Sequence, residues 1–352
     1  MSRILVIKTA ALGDVLRTTS ILPGLRTRHR EATVTWLTAP AARPLIAHHA
    51  DVHDVLVVDP RDEAAVAALA TDLAKTPWQW VLSLDDEAPL CRLARALPCD
   101  RLSGALETAP GTLGYTDDVA PWFDMGLLSR LGKARADRLK VENTRSHPAI
   151  FATMLGLEEG RPQLPLPEAA RLRAEAFARA HHLHDAGAVV GLNTGAGGRW
   201  RSKGLPVDRV VELAARLDAA LSHRVTFLLL GGPEERERNA AIVRDVTALP
   251  SSVRLVDAGT DNPLLDFAAL IDRCDLVVSS DSLALHMALA RQRRVVAFFA
   301  PTSAAEIELW DLGEKVVSTA PDYCSYRPDA DNSSLTAARI ADACLRVLTR
   351  TG

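Results

Sequence analysis

Two runs of alternating strand-like and helix-like segments, divided by the proline-punctuated stretch 160–167, constrain this chain more than any other feature. In the first run strand-like stretches fall at 3–9, 32–38, 54–58 and 80–84, with helix-like stretches at 15–28, 41–48 and 63–75. In the second run they fall at 188–192, 225–230, 253–256, 276–280 and 295–299, with helix-like stretches at 234–246, 264–273 and 282–290. Such alternation reads as βαβ units around a parallel sheet. Val210, Leu213, Ala214, Leu217 and Leu221 recur at helical spacing, so that helix buries one face against a sheet. The expected fold class is α/β: two Rossmann-like doubly wound domains, 1–165 and 166–352, facing across a cleft. The last helix is left open to pack back on the first domain. A length of 352 residues suits two domains of roughly 150 residues or more each. The stretch 98–122, rich in Gly, Pro and Thr, reads as irregular and of the kind that forms binding loops.

The composition excludes several partners. With 24% charged residues and a net charge of −3, the chain has no basic footprint for nucleic acid. Its apolar runs stop well short of the ~20 residues that span a bilayer, so no transmembrane segment is expected. The N-terminus enters a strand at once and shows no secretory signal. Cys91, Cys99, Cys274, Cys324 and Cys344 are scattered and form no C-x-x-C pair, which points to reduced thiols and a cytoplasmic location.

Four turns at predicted strand ends gather the chemistry. Lys8-Thr9-Ala10-Ala11-Leu12-Gly13-Asp14 follows the first strand and sets a carboxylate where open α/β sheets bind ligands. The absence of G-x-G-x-x-G there removes the main warrant for a dinucleotide site. Asp14 also suits a helix cap worth about 1 kcal/mol, the reading its local sequence favours. In the second half, Asn193-Thr194-Gly195-Ala196-Gly197-Gly198-Arg199-Trp200-Arg201-Ser202-Lys203 resembles a phosphate cradle: glycines admit an anion to the backbone N–H groups while Arg199, Arg201 and Lys203 supply charge. Glu234 and Glu235, after Gly231-Gly232-Pro233, can accept ribose hydroxyls or complement a helix N-terminus. Ser279-Ser280-Asp281-Ser282-Leu283-Ala284-Leu285-His286 ends a strand and opens a helix that Asp281 or Ser282 can cap, leaving N–H groups for a diphosphate. His181, His182 and His184 lack partnering ligands at metal spacing, and Asp329-x-Asp331 follows no strand, so no metal site is expected.

Taken in order, these turns resemble the ADP-heptose:lipopolysaccharide heptosyltransferases, glycosyltransferase family 9, over nearly the whole chain. The resemblance rests on Lys8-Thr9-x-x-Leu12-Gly13-Asp14-Val15, Lys203 with Pro206, Gly232-Pro233-x-Glu235, Asp281-Ser282-x-x-x-His286-x-Ala288-x-Ala290 and Ala300-Pro301-Thr302. It implies a GT-B fold, with the acceptor held mainly by the N-terminal half and an ADP-sugar by the C-terminal half. It further implies inverting, metal-independent transfer of a heptose or related sugar, without a cofactor. Asp14 matches the family's general base. Thr194, Gly195, Lys203, Glu235, Asn262, Asp281, Ser282, Leu283 and His286 match nucleotide-sugar positions, and Arg17 is an acceptor-side candidate. The sequence departs from the family in carrying Leu283 where a glycine is usual, and Ala300 where Gly-Pro-Thr is commoner. These departures leave the donor sugar open. The acceptor also stays open, between lipopolysaccharide core, with peripheral membrane contact, and a soluble sugar-containing natural product. A UDP- or GDP-sugar enzyme and a non-catalytic nucleotide-sugar binder are the alternatives.

Overall fold

The computed structural model describes residues 2–185, 187–197, 200–250 and 253–350. The chain divides into two compact units, Met1–Pro165 and Leu166–Gly352, and the described residues form one six-stranded sheet in each.

In the first unit β1 (Arg3–Ile7), β2 (Thr33–Thr38), β3 (Asp54–Val57), β4 (Trp78–Ser83), β5 (Cys99–Ala109) and β6 (Thr112–Tyr115) lie in the order β3-β2-β1-β4-β5-β6. Ile4, Leu5, Val6 and Ile7 are wholly buried, as an unbroken apolar strand covered on both faces must be. The chain winds outward from β1 to β3, then starts again at β4 on the other side of β1. Ile7 is in register with Ser83, so the turns leaving β1 and β4 are neighbours at the point where the winding reverses. Open α/β sheets bind ligands at such points.

The stretch 98–122 is not irregular. β5 runs parallel to β4 as far as Gly104 and pairs antiparallel with β6 from Ala105 onward. Gly104 makes the switch, with φ +129° and a backbone so close to β4 that a Cβ would lie 1.9 Å from the Ser83 carbonyl. The polar, glycine-broken sequence of β5 hides it from a periodicity argument, because its outer end is an exposed hairpin. The helical stretch 15–28 is also interrupted: Leu12–Thr18 and Leu22–Arg28 are separate helices joined by a 3-10 turn at Thr19–Ile21.

In the second unit β7 (Ala188–Asn193), β8 (Val225–Leu229), β9 (Leu255–Asp257), β10 (Leu276–Ser280), β11 (Arg294–Phe299) and β12 (Gly313–Val317) form a parallel sheet ordered β12-β11-β10-β7-β8-β9. Here the winding reverses between β7 and β10, where Asn193 and Ser279 are in register. Val190, Leu192, Phe227, Leu229, Val278, Val296 and Phe298 build the core with Val210, Leu213, Ala214 and Leu217 of the helix Val207–Ala220. The last helix, Ala337–Thr349, lays Ile340, Ala343, Cys344 and Val347 into this same core. Among the described residues no helix is long and apolar enough to cross a membrane.

Candidate active site

The reversal of the second sheet brings together most of the residues singled out in its turns. Lys203 Nζ donates to the Asp281 carbonyl at 2.7 Å and to its carboxylate at 3.0 Å, tying the turn after β7 to the turn after β10. The Ser280 hydroxyl donates to the Gly195 carbonyl at 3.2 Å, and the Asn193 amide to the Ser282 hydroxyl at 3.2 Å. His286, one turn into the helix Leu283–Ala290, sets Nε2 3.6 Å from Asp281 Oδ1. Ser282 is the N-cap, but its side chain makes no cap bond; its hydroxyl meets Ser279 at 3.0 Å. Leu283 is the first residue of the helix and half-buried.

Glu235 joins this cluster from β8. One carboxylate oxygen accepts from Gly197 N–H at 2.7 Å and the other from Gly232 N–H at 2.9 Å. Gly195 is required beside it, since a Cβ there would come within 2.4 Å of Glu235 Cγ. A cavity of about 340 Å³ opens at this turn, lined by Gly195, Gly197, Trp200, Arg201, Glu235 and Arg238 among others. Thr194 borders it through Arg238, whose Nη2 donates to the Thr194 carbonyl at 3.1 Å and hydroxyl at 3.0 Å. Burial pulls the Arg238 guanidinium below its ordinary range, against the opposing pull of Glu235. Its Nη1 is buried without a hydrogen-bond partner among the described residues. Sequence reasoning missed Arg238, which lies inside a polar helix where an arginine carries no signal. Asn262 stands in the turn after β9, the strand beside β8, where its amide donates to the carbonyls of Ala258 at 3.0 Å and Gly259 at 3.1 Å, and the adjacent Asp261 pairs with Arg236 at 2.6 Å. Arg199 lies outside the described residues.

In the first unit Asp14 is not the helix cap. Ala11 occupies the N-cap of Leu12–Thr18 and makes no side-chain cap bond, while Asp14 stands in the first helical turn. The capping reading fails by position, because the helix begins two residues before Asp14. Its carboxylate pairs with Arg17 Nη2 at 2.9 Å, and 39% of the Asp14 side chain is exposed against 14% for Arg17. The Arg17 guanidinium also lies 5.2 Å from the Trp122 ring centroid. Behind them Asp85, at the end of β4, accepts from the Lys8 ammonium, the Thr9 N–H and, at 2.7 Å, the Thr9 hydroxyl. Burial alone would lower the Lys8 proton affinity, but Asp85 and then Asp14 outweigh it and hold the ammonium above its ordinary range. Asp85 went unnoticed in the sequence because its partners lie 76 and 77 positions away. Around the histidine run His182 pairs with Asp185 at 3.0 Å, and among the described residues no group of three His, Cys, Asp or Glu is placed to hold a metal ion.

Two doubly wound units, with polar turns collected at the reversal point of each sheet, have the GT-B architecture found among nucleotide-sugar glycosyltransferases. The model of glycosyltransferase family 9 (heptosyltransferase) matches residues 105–334, and the chain belongs to that family. Among solved structures it is similar to a family 9 glycosyl transferase from Veillonella parvula, with a TM-score of 0.77, 18% identity, and 99% and 98% of the two chains covered. It is also similar to the E. coli ADP-heptose lps heptosyltransferase II, with a TM-score of 0.65, 18% identity and coverage of 99% and 98%. The E. coli heptosyltransferase WaaC with ADP gives a TM-score of 0.59, 19% identity and coverage of 98% and 97%. No curated protein matches the sequence.

Proposed function

We propose that this glycosyltransferase moves a heptose or related sugar from an ADP-sugar to an acceptor hydroxyl, by an inverting reaction that needs no metal ion or cofactor. The observation that carries the reading is the Lys203–Asp281 contact at the reversal of the second sheet, with the N-terminus of the helix Leu283–Ala290 beside it. A departing diphosphate gains negative charge in the transition state. A lysine ammonium and a helix N-terminus held in place stabilise that charge. Glu235 supplies a carboxylate suited to ribose hydroxyls, and the neighbouring cavity of about 340 Å³ has the size range of a nucleotide pocket. Thr194, Gly195, Asn262, Ser282, Leu283 and His286 complete the donor side.

In the first unit Asp14 takes the proton of the acceptor hydroxyl as it attacks the anomeric carbon. The C–O bond to the acceptor forms as the bond to the diphosphate breaks, and ADP leaves with the electron pair. Arg17 holds the carboxylate of Asp14 and stands on the acceptor side. The sequence departures at Leu283 and Ala300 leave the donor sugar open between heptose and a relative. The acceptor is a lipopolysaccharide core sugar or a soluble glycosylated metabolite, reached from the cytoplasm, with peripheral contact to a membrane in the first case.

Thermal unfolding with ADP, UDP and GDP tests the donor base. ADP at about 100 times its Kd should stabilise by about 2.7 kcal/mol. A shift with UDP or GDP and none with ADP would reject the ADP-sugar reading.

A further inference from the structure

The turns along the carboxyl edge of the second sheet follow the strand order, and that order gives a linear ligand a direction. Glu235 follows β8, Lys203 follows β7 and Asp281 follows β10; the next turn in line, after β11, carries Thr302 and Glu306. Four adjacent strands at about 4.8 Å spacing set the first and last of these turns roughly 14 Å apart. With the nucleoside at Glu235 and the diphosphate at Lys203, the rest of a nucleotide sugar runs toward β11.

That last turn meets a polar wall to which the segment after β12 contributes Tyr326. Tyr326 donates its phenol to Glu306 Oε1 at 2.8 Å. The tyrosine touches the turns after β11 and β7: its N–H donates to the Pro301 carbonyl at 2.8 Å, and its ring meets Trp200 edge-on at 6.4 Å. Ser202 N–H donates to the Pro328 carbonyl at 3.0 Å and its hydroxyl to the Arg327 carbonyl at 3.1 Å. Lys203, the next residue, is the one that reaches Asp281. Burial, together with Glu306, raises the proton affinity of the Tyr326 phenol, and Asp281 adds to the effect, so the group stays a neutral donor and acceptor. Thr302 is 6% exposed, and its hydroxyl, like that of Ser325, has no hydrogen-bond partner among the described residues. A buried hydroxyl left unpaired is unfavourable, and a ligand hydroxyl that reaches it removes that cost.

We infer that Glu306 and Tyr326, with Thr302 beside them, form the subsite that reads the hydroxyls of the transferred sugar. The ligand class is a polyhydroxylated glycosyl group carried on a nucleoside diphosphate, and the inference rests on the donor reading above. A carboxylate accepts from sugar hydroxyls, and a phenol held by that carboxylate sets which of its oxygens is presented. These residues act on the sugar and not on ADP.

Calorimetric titration of the full chain with ADP and with ADP-heptose separates the two. Glu306→Gln and Tyr326→Phe should each weaken ADP-heptose about tenfold and leave the ADP Kd within twofold. Tyr326→Phe keeps the ring against Trp200, and Glu306→Gln supplies an independent reading if that variant does not fold. Equal weakening of both ligands, or of neither, overturns the sugar role while the donor reading stands. A wild-type chain that binds neither ligand overturns the donor reading and the sugar role together.

Discussion

Lys203 meets Asp281 twice, at the backbone carbonyl and at the carboxylate, although the two residues are 78 positions apart. The contact fixes the ammonium where two turns of the sheet converge. Both side chains are largely buried, with 15% of Lys203 and 17% of Asp281 exposed. Lys203→Met should therefore weaken ADP about 10- to 100-fold, the range of a lost charge-assisted hydrogen bond. Calorimetric titration checks it, and an unchanged Kd would remove Lys203 from the donor site.

Asp14→Asn keeps the shape of the helix start and removes the proposed base. Turnover should fall by about 10²–10⁴ while the ADP Kd is unchanged. Single-turnover kinetics beside ADP titration separates the two effects. Wild-type turnover in this variant would assign Asp14 a structural role through Arg17.

Asp85→Asn tests the layer behind Asp14. Asp85 is 3% exposed and Lys8 13%, so the substitution leaves a buried ammonium without its anion. Breaking such a pair costs about 3–5 kcal/mol, to be read from urea unfolding at pH 7. The double variant with Lys8→Met should recover part of the loss. Lys8 titrates above its ordinary 10.5 in the folded chain, so the pair's contribution is complete below pH 10.5 and is lost as pH rises through the folded value.

Asp118 gives a prediction of opposite sign. Its carboxylate accepts from the Ser103 hydroxyl at 2.6 Å, the Thr116 hydroxyl at 2.6 Å and Arg101 at 2.9 Å, which fastens β5 to the segment after β6. Burial opposes ionisation, but these three donors outweigh it and hold the carboxyl below its ordinary 3.8. The stabilisation is present above pH 3.8 and is lost as pH falls through the depressed folded value. Asp118→Asn should cost about 1–3 kcal/mol at pH 7, and the gap from wild type should narrow below pH 3.8 in urea titrations.

Gly104→Ala should destabilise by about 3 kcal/mol or more, because both the positive φ and the 1.9 Å approach to Ser83 oppose a methyl group. Thermal unfolding checks this. A variant as stable as wild type would show that β5 reaches β4 by another path.

The parts of this molecule legible in its sequence are those that local pattern dictates. Unbroken apolar runs such as 4–7 and 295–299 announce buried parallel strands, and the glycine and serine turns behind strands of the second sheet announce the proposed donor site. β5 and β6 stayed hidden because half of β5 faces outward and its bend depends on a contact with Ser83. Asp85 and Arg238 stayed hidden for a related reason: each is defined by partners far along the chain, and neither residue type is unusual where it stands. The local sequence around Asp14 favours a cap that the helix does not use, since an acid near a helix start looks alike at the cap and three positions later.

Glu235 accepts one hydrogen bond at each carboxylate oxygen, from the backbone N–H groups of Gly197 and Gly232, and each oxygen keeps a further lone pair. Those two main-chain donors hold the carboxylate in one orientation before any ligand arrives. Under the proposed function, a ribose would meet acceptors whose direction the loops have already set. A hydroxyl in the wrong position would find no lone pair aimed at it, so selectivity at this corner would come from direction more than from the strength of any single contact.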